Sequence, residues 1–476
     1  MRRDNLFLLT DLYELTMAQG YFINKKNIEA VFDLTFRKPP FNNSYIVFCG
    51  LETLVDIILN LKVTEDDIQY LKSLGLFKEE FLKYISSFKF SGDIYSVEEG
   101  EVVFPKEPVL RIHAPVIQAQ ILESLILNII NFQSLIATKT ARIVQVAKGK
   151  AVLEFGLRRA QGIDGALSAT RAAYIAGTAG TSNVLAGKIF GVPVRGTMAH
   201  SWVMSFKNEY EAFEKFAMLY PNNCILLVDT YNTLNSGLKN AIKIFKKLKN
   251  KGIKNFGIRL DSGDLETLSK KARQILDKNG LKEAKIVVSN ELDEHIIEQL
   301  LSRGAPIDMF GVGTKLVTGN PDASLSGVYK IVAKRCKNKY VPIIKLSDMP
   351  EKISLPHIKN VVRFFNEEKF VYDVINLENE KINSSDNFYH PDFHYLVKKT
   401  IDKNLKKKVL LKPIVLRGKL VYNFPPLEKI RENVKINLNC LPEEYKRLIN
   451  PHIYTVAISE RLKEIKENLI KKNRRK

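Results

Sequence analysis

Between about residue 150 and residue 350, short apolar runs alternate with longer stretches whose apolar residues recur every three to four positions. A continuous apolar run bounded by turn residues predicts a buried strand, and the wider spacing predicts an amphipathic helix. AVLEFG (151–156) leads to a helix around Leu167 to Ile175, and the β-rich VPVRGTM leads to SWVMSFKNEYEAFEKFAMLY. CILLVDT (224–230) precedes GLKNAIKIFKKLKNK, FGIRLDSGD (256–264) precedes LETLSKKARQILDKNG, and KIVVSNEL (285–292) precedes DEHIIEQLLSRG. DMFGVGTKLVT (308–318) then precedes GVYKIVAK. Six or seven strand–loop–helix repeats predict a parallel sheet, and that number suits a closed barrel.

The flanks have a different rhythm. AVFDLTFRK (30–38) reads as a strand with Phe32, Leu34 and Phe36 on one face, and LETLVDIILNL (51–61) has helical spacing. Residues 92–115 read as short strands broken by Gly100, Pro105 and Pro108, and 116–147 as a long helical stretch. The apolar face of that stretch is wide enough for burial on two sides, as at a subunit contact. Beyond about 350 the repeat gives way to β segments and then basic helix. The expectation is an α/β chain built on an irregular TIM-like β/α barrel (134–350), with an N-terminal α+β domain (1–133) and a basic C-terminal extension (351–476).

Composition excludes several classes. At 476 residues with 45% hydrophobic content the chain is an ordinary globular protein of two or three domains. No run of eighteen uncharged apolar residues occurs, so no membrane span is expected. Asp11 and Glu14 interrupt the apolar residues of the N-terminus, so no signal peptide is read there. Cys49, Cys224, Cys336 and Cys440 form no CxxC pair, which suits a reducing cytoplasm without disulfides or zinc. The net charge is +21, and residues 401–476 alone carry 20 Lys and Arg against 8 Asp and Glu. Such a region attracts nucleic acid, membrane lipid or anionic small molecules. No nucleic-acid-binding motif accompanies it, so a solvated lysine-rich surface is the plainer reading, with the final KKNRRK as a frayed tail.

Candidate chemistry sits at the strand ends, where α/β sheets and barrels carry it. GTMAHSW (196–202) places His200 behind a flexible Gly-Thr turn; a hydrogen-bonded structural histidine is the alternative reading. EFGLRRAQG offers Phe155, Arg158, Arg159 and Gln161; LLVDTYNT offers Asp229 and Thr230; VVSNELDE offers Ser289, Asn290 and Glu291. IRLDSGDL packs Arg259, Asp261, Ser262, Gly263 and Asp264 after a strand, a pattern with no packing purpose. In FGVGTKLVT the glycines Gly311 and Gly313, with Thr314, let backbone N–H groups approach a phosphate, or make a plain tight turn. Arginines at such ends bind carboxylate or phosphate in a two-pronged fashion.

Taken together, DLYELTMAQGYF (11–22), EFGLRRAQGIDG (154–165), SNVLAGKIFGVPVRGTMAHSW (182–202), LLVDTYNT (226–233), IRLDSGDL (258–265), VVSNELDE (287–294) and FGVGTKLVT (310–318) resemble the nicotinate phosphoribosyltransferase family, of the type II phosphoribosyltransferase fold. The motifs run in the family's order over about the first 350 residues. KISLPHIKNVVRFF (352–365) resembles the family's Lys-x-Ser-x-Pro-Gly segment, but His357 stands where glycine is usual.

The resemblance implies that nicotinate and 5-phosphoribosyl 1-diphosphate give nicotinate mononucleotide and diphosphate, driven by ATP hydrolysis through a phosphorylated histidine. His200 matches that histidine, with Asp229 expected to orient its imidazole. Tyr13, lent by a neighbouring subunit of a homodimer, and Phe155 match the aromatics on the two faces of the pyridine ring. Thr197 matches a residue beside the nicotinate and Arg259 its carboxylate partner, while Arg158 matches an arginine at the ring and diphosphate. Asp261, with Ser262 and Gly263, is expected at the ribose hydroxyls, and Gly313 and Thr314 at the 5-phosphate. Mg²⁺ is implied by ATP and the sugar diphosphate and by no protein carboxylate cluster. Tyr13 as simple helix packing and Arg159 as a structural ion-pair residue are the plainer alternatives. A nicotinamide enzyme would call for an acidic group by the ring, and GTAGTSN (177–183) has none. A quinolinate enzyme would work without ATP in a shorter chain. A basic nucleic-acid-binding protein is the alternative from another class.

Overall fold

The computed structural model describes residues 6–398 and 405–474. The chain divides into two compact units, one of residues 1–138 and 324–476, the other of 139–323. The three successive stretches read from the sequence thus map onto two units, because the first and last stretches share one core.

That shared core has a physical basis. A seven-stranded antiparallel sheet runs in the order Lys339–Pro342, Gly327–Cys336, Glu29–Phe36, Pro108–Pro115, Asp93–Ser96, Lys412–Leu416, Lys419–Leu420. Phe32, Leu34 and Phe36 enter an apolar cluster that also takes Val361, Ile375, Ile414 and Ile458 from the far end of the chain. The opposite face of Glu29–Phe36 is buried too, and its Asp33 meets Lys359 Nζ at 2.7 Å, with side-chain exposures of 2% and 1%. Arg111 pairs with Glu378, and Arg363 with both Asp373 and Glu101. GVYKIVAK, read as following the last barrel repeat, lies in this sheet against Glu29–Phe36. A second, six-stranded sheet orders Leu396–Lys398, Phe388–Tyr389, Val456–Ser459, Lys369–Leu377, Lys359–Asn366 and Lys406–Val409. The helix Glu460–Arg474 absorbs residues 471–474 of the expected frayed tail; 475–476 lie outside the described residues.

The second unit holds a six-stranded parallel sheet in the order Gly180–Thr181, Ala151–Glu154, Met309–Val312, Lys285–Ser289, Phe256–Leu260, Cys224–Leu227. Its strands are near-continuous apolar runs, as expected for parallel strands covered on both faces. Val194 of the predicted GVPVR strand makes only a single bridge to Thr181. The strand order is therefore cyclic in sequence, but among the described residues no pairing joins the two outermost strands. The sheet is a curled half-barrel, an irregular TIM-like barrel whose closure is incomplete between Val194 and Cys224. Helices between the strands start on side-chain caps: Asn183, Asn208, Asp264 and Asp293 each accept from a backbone N–H of the first turn. No helix among the described residues is long and apolar enough to cross a membrane.

Removing one partner of a buried ion pair leaves an uncompensated charge, at a cost of about 3–5 kcal/mol. Lys359 also donates to the carbonyls of Leu355 and His357 at 2.8 and 2.7 Å, so it is fixed by more than Asp33. Lys359→Met is expected to lower unfolding free energy by about that amount in urea titration. The double variant Asp33→Leu/Lys359→Met is expected to regain most of it.

Candidate active site

The C-terminal ends of five adjacent parallel strands bring most of the expected residues together. After Ala151–Glu154 comes Phe155, half-buried. The turn behind it is fixed by Glu154, which is 1% exposed and accepts from Gly156 N at 2.5 Å, Thr170 Oγ1 at 3.0 Å and Thr181 Oγ1 at 2.5 Å. Gly311 on the next strand makes room for the ring: a Cβ there would lie 2.6 Å from Phe155 Cδ2. Arg158 and Arg159 stand exposed beyond the turn. Gly313 and Thr314 open a short helix, Thr314–Val317, and remain partly accessible.

His200 is the first residue of the helix His200–Met204. Trp202 holds that helix in place: its indole N–H donates to Ala212 O at 3.0 Å and its ring packs on Phe206 and Phe216. The His200 side chain is 41% exposed. Its Nδ1 lies 3.1 Å from Thr230 Oγ1 and its Nε2 3.8 Å from Asp261 Oδ2.

Asp229 was expected to orient this imidazole, and the structure assigns that contact to Thr230. Asp229 Oδ2 is instead taken by Asp261 N–H at 2.8 Å and Ser262 Oγ at 2.6 Å, so it fixes the Asp261–Ser262 turn. Its other oxygen, Oδ1, is buried without a hydrogen-bond partner. Gly237 allows the Asp229 strand end to be packed this tightly, since a Cβ would come within 1.9 Å of Val228 O. Asp264, read with the IRLDSGD cluster, is a helix cap: it accepts from Thr267 N at 2.7 Å, which holds its carboxyl below the ordinary range.

Arg259, 15% exposed, donates through Nη1 to Thr197 Oγ1 at 2.5 Å and to Met198 O at 3.2 Å. Its Nη2 faces Asp261 Oδ2 at 3.4 Å, while its Nε is buried with no acceptor. Asp261 also accepts from Ser289 Oγ. Ser262 and Gly263 complete an exposed turn in which Gly263 has φ +77°.

Tyr13 lies in the other unit, 47% exposed on the helix Leu12–Ile23. Partial burial, together with Glu123, Glu14 and Asp11, pushes its phenol up to about 12, so it is neutral at physiological pH. Also in that unit is a basic pocket, open to solvent, that no motif in the sequence singled out. Arg37, Lys106, Lys330, Lys345 and Lys352 line it. The signal was the Lys-x-Ser-x-Pro segment, whose Lys352 and Ser354 form part of the wall. His357, in place of the usual glycine, adopts φ +73°, and its own Nδ1 accepts the next backbone N–H at 2.8 Å. That local bond offsets the left-handed strain.

Comparison with known proteins matches most of the chain to one family. Residues 8–131 match the nicotinate phosphoribosyltransferase N-terminal domain, 151–377 the nicotinate phosphoribosyltransferase family, and 358–466 its C-terminal domain. A nicotinate phosphoribosyltransferase of Bacillus subtilis is 44% identical over 96% of this chain and 94% of its own. The chain belongs to the nicotinate phosphoribosyltransferase family. The crystal structure of human nicotinic acid phosphoribosyltransferase superposes with a TM-score of 0.85 at 29% identity, covering 97% of this chain and 99% of that one. A nicotinate-nucleotide pyrophosphorylase from Pyrococcus furiosus superposes less well, with a TM-score of 0.70 at 25% identity over 90% and 94% of the two chains. The chain is thus a phosphoribosyltransferase enzyme of the family that serves NAD biosynthesis.

Proposed function

We propose that the chain joins nicotinate to 5-phosphoribosyl 1-diphosphate, giving nicotinate mononucleotide and diphosphate, with ATP hydrolysis coupled through phosphorylation of His200. The observation that carries the choice of an acidic substrate is Arg259. A buried guanidinium nitrogen without an acceptor is costly, and here Nε has none while Nη1 is already anchored by Thr197 and Met198. A carboxylate arriving at the Nε edge supplies the missing acceptor. Glu154, a carboxylate beside GTAGTSN, is already engaged by three donors and does not offer a nicotinamide amide its partner.

The glycosyl step needs no protein nucleophile. The pyridine nitrogen attacks C1 of the ribose as the C1–O bond to diphosphate breaks, so the protein's work is positioning and charge stabilisation. Phe155 covers one face of the ring, and Tyr13 of a neighbouring copy the other, in a homodimer with shared sites. Thr197 and Arg259 fix the carboxylate, and Arg158 meets the departing diphosphate. Asp261 takes ribose hydroxyls beside Ser262 and Gly263, while Gly313 and Thr314 receive the 5-phosphate. Mg²⁺ would be held by the oxygens of ATP and the sugar diphosphate, whose charge it would neutralise. The exposed imidazole of His200 accepts the phosphoryl group from ATP on a neutral ring nitrogen.

His200→Ala is expected to abolish acid-labile phosphate on the protein and ATP hydrolysis, measured with γ-labelled ATP; undiminished labelling would refute the assignment. Arg259→Ala is expected to raise the nicotinate KM roughly ten- to a hundred-fold, since a hydrogen bond to a charged group contributes about 1.5–3 kcal/mol. An unchanged KM in steady-state assay would clear Arg259 of the carboxylate.

A further inference from the structure

Ser289 closes the strand Lys285–Ser289 and is 5% exposed. The register pairs Val288 with Leu260 on one side and Ser289 with Gly311 on the other. This places Ser289 directly across from Asp261, between the strand of Arg259 and the strand of the phosphate-type glycines. Its hydroxyl donates to Asp261 Oδ1. The main-chain N–H of Asp261 is separately held by Asp229 Oδ2 at 2.8 Å. With the backbone pinned on one side and Oδ1 on the other, the remaining oxygen, Oδ2, is aimed at two groups: Arg259 Nη2 at 3.4 Å and His200 Nε2 at 3.8 Å.

We propose that Ser289 is a positioning residue, which through Asp261 sets the carboxylate that the nicotinate-binding arginine and the phosphate-accepting histidine share. An aspartate side chain at a strand end has a broad terminal torsion. Without a donor on Oδ1, the carboxylate rotates and its two long contacts are the first to go. Ser289 touches no reacting atom; it acts by restricting Asp261. The proposal rests on the function proposed above and adds to it a link between the two half-sites.

The test uses the full-length protein with Ser289→Ala, Ser289→Thr and Ser289→Val. Thr keeps the hydroxyl and adds a methyl, while Val has the same shape without the hydroxyl, so the pair separates hydrogen bonding from packing. Two rates are read: labelling of His200 by γ-labelled ATP, and nicotinate mononucleotide formation with its kcat and nicotinate KM. Ala and Val are expected to lower both His200 labelling and kcat/KM for nicotinate roughly ten- to a hundred-fold, as for a lost hydrogen bond to a charged group. Thr is expected to stay within a few-fold of the parent. In an Asp261→Ala background, Ser289→Ala is expected to add no further loss. Equal activity of Val and Thr overturns the proposal, and so does a full Ser289→Ala effect in the Asp261→Ala background. If Ser289→Ala does not fold, the Thr and Val comparison still decides. A parent chain that makes no nicotinate mononucleotide overturns the function itself, whereas an active parent with silent Ser289 variants overturns only the positioning role.

Discussion

Asp261 presents one carboxylate to a guanidinium and an imidazole at once, and the rest of the site is arranged to hold it there. Asp229 meets it from behind through the backbone N–H rather than through its charge, which lets two acidic residues sit side by side without opposing carboxylates. Ser289 holds the second oxygen. Arg259 and His200, drawn from different strand-end segments, acquire a common neighbour in this way. In the proposed reaction, binding of the aromatic acid and capture of the phosphoryl group would depend on the same few ångströms of fixed geometry, with positioning as the main catalytic contribution.

The scaffold explains how such a cluster survives. Buried parallel strands place successive strand ends in a row, and each loop brings a different polar group to the same edge. The loops are held by local devices: Trp202 behind His200, Glu154 behind Phe155, and the Asp264 and Asp293 caps at the following helices. In the other unit, buried pairs such as Asp33–Lys359 and Glu101–Arg363 join segments hundreds of residues apart. Their desolvation makes them poor contributors to net stability but severe when half-removed.

Much of this was legible in the chain. Apolar runs between helical periods gave the parallel unit, because a strand covered on both faces cannot hide its composition. His200, Arg259, Asp261 and Phe155 stood out as polar or aromatic groups with no packing reason to follow a strand. What stayed hidden depended on contacts between distant residues. The chain showed an acidic residue and a hydroxyl side by side at 229–230, and only the folded turn decides that Thr230 meets the imidazole while Asp229 meets Asp261. Asp264 looked like chemistry because a helix cap and a ligand group share the same residue type. The last strand repeat, 327–336, has the apolar pattern of its predecessors, yet it pairs antiparallel with 29–36 in the other unit. No local period reports which sheet a strand will join. The basic cavity was likewise assembled from Arg37, Lys345 and Lys352, far apart in sequence.

The most direct measurement is product formation by the purified chain with 5-phosphoribosyl 1-diphosphate and Mg²⁺, offering nicotinate or nicotinamide, each with and without ATP. The account predicts nicotinate mononucleotide from nicotinate, a yield raised by ATP with stoichiometric ADP release, and little turnover of nicotinamide. Equal use of nicotinamide, or a yield indifferent to ATP, would contradict it.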